Sequence, residues 1–260
     1  MGSLRDLVDH GYGLARSAAI YHARPLQRRR ARAFYRAFVP PGGLCFDIGA
    51  HLGDRTGHFL ALGARRVVAV EPQPAPLAVL RRLFARNPRV VVIGAALGAA
   101  AGDADLAIDP RNPTVASLSP HWRALVAESA GFAGTDWRER RRVRVTTLDT
   151  LIAAHGAPDF CKIDVEGFEA EVLRGLSQPL PALSFEYLAA APEAALAALR
   201  RLDALADYRF NRSPGESMRF PLAGWRSAAA MAAELTAPAP GETSGDIYAR
   251  LATATSAPVS

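Results

Sequence analysis

The run CKIDVEGFE, Cys161 to Glu169, sets Asp164, Glu166 and Glu169 within six residues and holds Lys162, the only lysine beside 30 arginines. Neighbouring carboxylates raise one another's pKa, which suits a general base or a metal ligand. Side chains alternate along a strand, so Lys162, Asp164 and Glu166 share one face if the strand stays regular. A lysine is a compact point charge, whereas an arginine is a planar fork that is harder to bury. Lys162 therefore has three readings: it compensates the acidic pair, it holds a reacting oxygen, or it forms a structural ion pair beneath the site. Glu169 and Glu171 fall on the helix that follows, near its positive end.

A second constellation is DIGAHLGDRT, in which Asp47, Gly49 and Gly53 have the form Asp-x-Gly-x-x-x-Gly. Its glycines allow a tight turn and close approach of a ligand to the backbone. It lacks the Gly-x-Gly-x-x-Gly that seats a pyrophosphate on a helix N-terminus. Asp47 would also repel phosphate, so a nicotinamide-dependent dehydrogenase is disfavoured. Glu71 lies 24 residues after Asp47, where a carboxylate can accept both hydroxyls of an adenosine ribose. The loop, the acid and Glu71 together fit S-adenosylmethionine, with its ammonium, sulfonium and ribose. The alternative is a glycine-rich strand–helix turn without a ligand. Glu186 binds substrate or metal, or is a buried acceptor for backbone amides. His121 is a base supplied by a lid, or a solvated helix residue. Asp164, Glu166 and Glu186 could together hold a divalent cation, but their spacing is not diagnostic and no metal is predicted.

These groups need a scaffold, and the hydrophobic pattern supplies one. LCFDIGA (44–50), RVVAVEP (66–72), RVVVIGAALG (89–98), DFCKIDVEG (159–167) and ALSFEY (182–187) read as strands. Helical spacing runs through 51–64, 75–87, 168–176 and 192–206, and YRFN (208–211) and GDIYARL (245–251) read as two final strands. Near-continuous apolar strands alternating with helices indicate an α/β fold with a parallel sheet covered on both faces. Ligands of such sheets bind beyond the carboxyl ends of the strands. Asp47, Glu71, Ala95, Ala96, Asp164, Glu166 and Glu186 all fall there. The excursion 99–142 breaks the rhythm with an edge strand at 103–109, a short helix capped by Ser119 and an exposed charged run, TDWRERRR. It and the loop 212–244, with one helix near Trp225, should supply the acceptor pocket.

Hydrophobic residues make up 50% of the chain, yet no run approaches the ~20 apolar residues of a membrane span. Arg5, Asp6, Asp9 and Arg16 break every early apolar run, against a signal peptide. Both features predict a cytoplasmic protein. Cys45 and Cys161 are expected as buried, unbridged thiols on neighbouring central strands. The net charge of +6 resides in residues 1–40, with eight arginines and two acids; the rest balances to zero. The expected organisation is a basic helical arm (1–40), one domain (41–251) and a flexible tail (252–260). An amphipathic helix over Arg24–Phe38 could touch anionic lipid, nucleic acid or a partner, or pack on the body and solvate its arginines.

FDIGAHLGDRT, VVAVEPQP, AALGAAAGDADL, VASL, VTTLDTL, DFCKIDVEGFEAEVLRGL and SFEY, spread from Phe46 to Tyr187, resemble the FkbM family of S-adenosylmethionine-dependent O-methyltransferases. KIDVEGFE is the specific run; the glycine loop alone would indicate only a class I methyltransferase. The family usually shows Asn where this chain has His51. The resemblance implies a Rossmann-like, seven-stranded, mostly parallel sheet with helices on both faces and an antiparallel last strand. It implies that Asp47, Gly49, Ala50, His51, Gly53 and Thr56 face the methionine part, with Asp164 nearby. Glu71 and Pro72 would meet the ribose and Ala95 and Ala96 the adenine, and Ser117 and Leu118 would close over the cofactor.

The expected activity is methyl transfer to a hydroxyl of a small molecule or glycan, with Asp164, Glu166 and Lys162 as catalytic residues and Glu186 and His121 toward the substrate. An RNA methyltransferase is a second reading, drawn from the basic arm; the neutral body and the missing Asn/Asp-Pro-Pro-aromatic signature oppose it. A third is a non-catalytic module that keeps the fold and the cofactor. Nucleic acid is disfavoured as a partner, no transmembrane segment is expected, and peripheral membrane contact stays open to the arm.

Overall fold

The computed structural model describes residues 4–22, 25–129 and 132–252. The arm holds two helices, α1 (Leu4–His22) and α2 (Pro25–Tyr35). Then follow β1 (Leu44–Ile48), α3 (Asp54–Ala61), β2 (Arg66–Val70), α4 (Pro74–Phe84) and β3 (Val90–Ile93). The middle of the chain forms β4 (Ala96–Leu97), β5 (Gly102–Ile108), a single 3-10 turn (Pro113–Val115), α5 (Pro120–Val126) and β6 (Glu139–Thr146). The remainder is α6 (Leu148–His155), β7 (Phe160–Ile163), α7 (Glu169–Arg174), β8 (Ala182–Leu188), α8 (Glu193–Leu205), β9 (Tyr208–Pro214), α9 (Ala228–Thr236) and β10 (Ser244–Leu251).

Seven strands form one sheet in the order β3-β2-β1-β7-β8-β10-β9. The first five pair in parallel, and β10 runs antiparallel between β8 and β9. The order reverses between β1 and β7, which opens a crevice at their carboxyl ends. Alternation sorts the side chains into two cores. Phe46, Ile48, Ile163, Phe185 and Ile247 pack under Leu148, Leu173, Leu202 and Met231 of α6 to α9. On the opposite face Cys45, Phe160 and Tyr248 meet Ala31, Tyr35, Phe38 and Phe59. The helix expected over 24–38 thus docks by its apolar side, while Arg29, Arg30 and Arg36 stay exposed. Cys45 and Cys161 are buried and unbridged on adjacent strands. No described helix is long and apolar enough to cross a membrane. The tail expected to be flexible lies outside the described residues from 253 onward.

Two expectations need correction. The apolar run 89–98 is not one strand: it leaves the main sheet after Ile93 and pairs again at Ala96–Leu97 in a second sheet, ordered β4-β6-β5. The charged run TDWRERRR is exposed at Asp136 and Arg140 to Arg142 as expected, and its end enters β6, which pairs with β5. There Val143 and Val145 face inward and Arg140, Arg142 and Arg144 outward. The regular strand assumed for Lys162, Asp164 and Glu166 stops at Ile163, so the three do not continue one strand face.

Candidate active site

The crevice between β1 and β7 deepens into a cleft of about 900 Å³, open mouth included. Gly49, His51, Glu71, Pro72, Ala95, Ala96, Leu118, Asp164, Glu166 and Glu186 all line it. All but Leu118 arrive from the end of a strand or the loop just beyond it; Leu118 comes from the segment between the 3-10 turn and α5. Gly49 follows β1 with φ +83°, and a Cβ there would lie 1.8 Å from the Asp164 carbonyl oxygen. That glycine therefore brings two strand ends together. Gly53, at φ +81°, yields its space to the Phe84 ring 2.7 Å from where its Cβ would be. Gly49 still lines the cleft, so its backbone is open to a ligand, whereas Gly53 does not line it.

Two non-glycine residues in the lining have left-handed backbones, His51 at φ 48° and Glu166 at φ 54°. Asn, Asp and His tolerate that region better than most side chains, so a histidine can stand where the family usually has Asn. Glu166 is held in place by its surroundings. Ser117 Oγ donates to its carbonyl at 2.6 Å, and the buried Glu169 carboxylate accepts from Val165 N at 3.1 Å and Gly167 N at 3.2 Å.

At the β2 end, Glu71 Oε2 accepts from His51 N at 2.9 Å and Oε1 from Gln73 N at 2.8 Å. Gln73 Nε2 donates to the Pro113 carbonyl at 3.0 Å, while its Oε1 is buried without a partner among the described residues. Leu97, Leu106, Ala116 and Leu118 make the neighbouring wall apolar. At the opposite end, carboxylate oxygens of Asp164, Glu166 and Glu186 lie within 4.8 Å of one another. Such a trio has the hard oxygen donors that Mg²⁺ or Ca²⁺ takes.

Several residues singled out in the sequence do not line the cleft. Asp47 is buried beneath the loop and accepts from Thr56 Oγ1 at 2.6 Å. Ala50 packs with Ala69 and Leu80. Ser117 bonds Glu166 rather than facing the cavity. Lys162 is 1% exposed, its Nζ 2.5 Å from Asp246 Oδ1 and 3.3 Å from Asp164 Oδ2. It touches the site only through Asp164. His121 is exposed on α5, in a separate groove with Trp122 and Leu125. The sequence reading missed Gln73, Pro113, Thr114, Phe168 and Glu216, all of which line the cleft. Gln73 had a signal, since it sits between two prolines at the start of a helix; Glu216 had none.

Burial pushes the Glu71 carboxyl up to about 7, with the Gln73 and His51 amides offsetting part of the effect. Burial likewise takes Asp47 to about 6 and Glu169 to about 7. Burial, then the charge of Asp164, holds Glu166 well above the usual range; burial, then Glu166, does the same for Glu186. An acid with a raised folded pKa binds its proton more tightly folded than unfolded. Its stabilisation is full below the unfolded value and is lost as pH rises through the folded one. The ligand-free protein should therefore melt at a higher temperature at pH 6 than at pH 8 by scanning calorimetry. Glu71→Gln should shrink the difference; a profile that is flat or inverted in the wild type would contradict these assignments.

A parallel sheet reversed at its centre, with its last strand inserted antiparallel and this cleft at the reversal, is a class I methyltransferase fold. The chain belongs to the family of the methyltransferase FkbM domain, whose model matches residues 47–210. It is a methyltransferase by that membership. Comparison with curated proteins gave no match. Among solved structures it is similar to the O-methyltransferase from Bacillus cereus in complex with SAH, at 13% identity over 97% of this chain and 93% of that one, TM-score 0.43. It is also similar to precorrin-6y C5,15-methyltransferase from Geobacter metallireducens, at 12% identity over 86% and 87%, TM-score 0.43.

Proposed function

We propose that this chain moves a methyl group from S-adenosylmethionine to a hydroxyl of a small molecule or glycan, such as a sugar or secondary metabolite. One observation carries the reading: a single cleft has two chemically different ends. Each Glu71 oxygen accepts one backbone N–H and keeps a lone pair for a ribose hydroxyl. Gln73 Oε1 is a further acceptor there, and the apolar wall suits a purine. Asp164, beside Gly49, suits the positive charge of the donor. The residues present therefore fit this cofactor.

S-adenosylmethionine supplies an electrophilic methyl on a sulfonium, with a neutral thioether as leaving group. The chain's own tasks are to align the acceptor oxygen and to take its proton. Glu166 and Glu186 border the acid end and have carboxyls whose proton affinity is raised, as a base for an alcohol requires. Lys162, through Asp164, acts as a positioning residue. The balanced charge of the chain beyond residue 40 disfavours RNA as the acceptor, because nucleic-acid affinity is drawn mainly from basic groups on phosphates.

The test is calorimetric titration with S-adenosylhomocysteine. Wild type should bind it, and Glu71→Ala should bind about 10- to 100-fold more weakly, the effect of removing a charged hydrogen-bond acceptor. Absence of binding by wild type would remove the reading. Transfer of radiolabelled methyl to a panel of sugars and hydroxylated metabolites then tests the acceptor class, and binding without turnover across that panel would favour a non-catalytic module.

A further inference from the structure

We infer that Gly13 of α1, acting through Pro113, positions the cleft wall that runs from Pro113 to Leu118, so that the N-terminal helix sets how tightly the adenosyl donor is held. This rests on the proposed reading of the cleft as a donor site.

Gly13 is buried within a helix, where glycine is less stable than alanine, so its presence asks for a packing reason. The reason is contact: a Cβ at Gly13 would lie 2.3 Å from the Pro110 carbonyl oxygen and 2.8 Å from Pro113 Cδ. Pro113, Thr114, Ala116 and Leu118 line the cleft on the other side of that contact. Pro113 is also tied inward, since its carbonyl accepts from Gln73 Nε2, and Gln73 N bonds Glu71. A displacement imposed at Gly13 thus passes through Pro113 to the two acceptors at the donor end.

Polar contacts hold the rim of the same joint. Asp9 pairs with Arg138 and lies 3.8 Å from Arg111, and Arg16 donates to Asn112. His10 Nε2 is 3.0 Å from Glu139, and the Arg111 guanidinium sits over the Tyr12 ring at 5.2 Å. Asp9, His10, Gly13 and Arg16 of the arm make the joint. Gly11 is a built-in control, because its own Cβ would meet nothing within 4 Å.

The experiment compares Gly11→Ala and Gly13→Ala in the full chain by S-adenosylhomocysteine titration, well below the melting temperature. Gly11→Ala should bind as wild type does and melt no lower. Gly13→Ala should bind about tenfold more weakly, and hydrogen exchange at Val115 and Ser117, whose amides bond the Asn112 and Ala107 carbonyls, should quicken in it but not in Gly11→Ala. Wild-type affinity in Gly13→Ala overturns the inference. Should that variant fail to fold, the double variant Asp9→Asn, Arg16→Gln decides: about threefold weaker binding supports the joint, and unchanged binding overturns it. A wild type that does not bind at all strikes at the proposed function instead.

Discussion

Lys162→Met is expected to lower unfolding free energy by about 3–5 kcal/mol, a large part of the 5–15 kcal/mol typical of folded proteins. The size follows from what remains behind. Lys162 stands on β7 and Asp246 on β10, with β8 between them. The register puts Ser184 beside Lys162 and Tyr248 beside Ser184. A small residue on the middle strand leaves room for the lysine stem to cross two strand spacings to its partner. Burial alone would pull the ammonium's pKa down, but the charges of Asp164 and Asp246 outweigh it and raise it. Methionine keeps the stem's volume and removes the charge, so Asp246 is left in the interior with the Tyr248 hydroxyl 3.4 Å away. Replacing the pair together, Lys162→Met with Asp246→Leu, should recover much of the loss, since no buried charge is then uncompensated. Lys162→Arg should fall between, because a planar fork cannot occupy the space of a point charge. Urea unfolding measures all three. A loss under about 1 kcal/mol in Lys162→Met would show that the pair behaves as a solvated one.

That ion pair also shows where sequence reasoning stops. A lone lysine among arginines is visible in the sequence, and so is a demand for a compact cation. Its partner is not, because Asp246 lies 84 residues away on a strand inserted antiparallel. The strands themselves were legible: apolar runs of Val, Ile and Leu ending in Asp or Glu mark a parallel sheet's upper edge whatever the loops do. The two acids at the ends of β1 and β2 looked alike in the sequence and are not alike in the structure. Glu71 lines the cleft, whereas Asp47 is covered by its own glycine loop and bonded to Thr56. Strand alternation decides which face a side chain takes, but the loop that follows decides whether the face is covered. The second sheet was legible only in part, since β5 was read as an edge strand while β4 and the pairing of the three strands were not. β4 is two residues long, and β5 and β6 carry charges on their outer faces, so their alternation was diluted by arginines and aspartates. Glu216 and Pro113 reach the cleft from loops whose local sequence has no periodicity to announce them.

Glu166→Gln is expected to reduce kcat by about 10²–10⁴-fold, the usual contribution of a positioned base, while S-adenosylhomocysteine affinity stays near wild type. The substitution keeps size and hydrogen-bonding reach and removes only the capacity to take a proton. The pH dependence supplies the mechanism's sign. With their proton affinity raised, Glu166 and Glu186 hold protons to higher pH than free carboxyls, so the basic form accumulates as pH rises. Wild-type kcat should therefore climb as pH rises above the ordinary carboxylate range, and the limb should disappear in Glu166→Gln. Glu186→Gln separates the partners. It removes a like charge near Glu166, which lowers that carboxyl's pKa and shifts the limb toward acid while the base survives. A structural role for the cluster would reduce kcat without moving the limb. Full kcat in Glu166→Gln with Glu186→Gln inactive would transfer the base to Glu186. A pH-independent rate in the wild type would remove proton transfer to this cluster from the mechanism altogether.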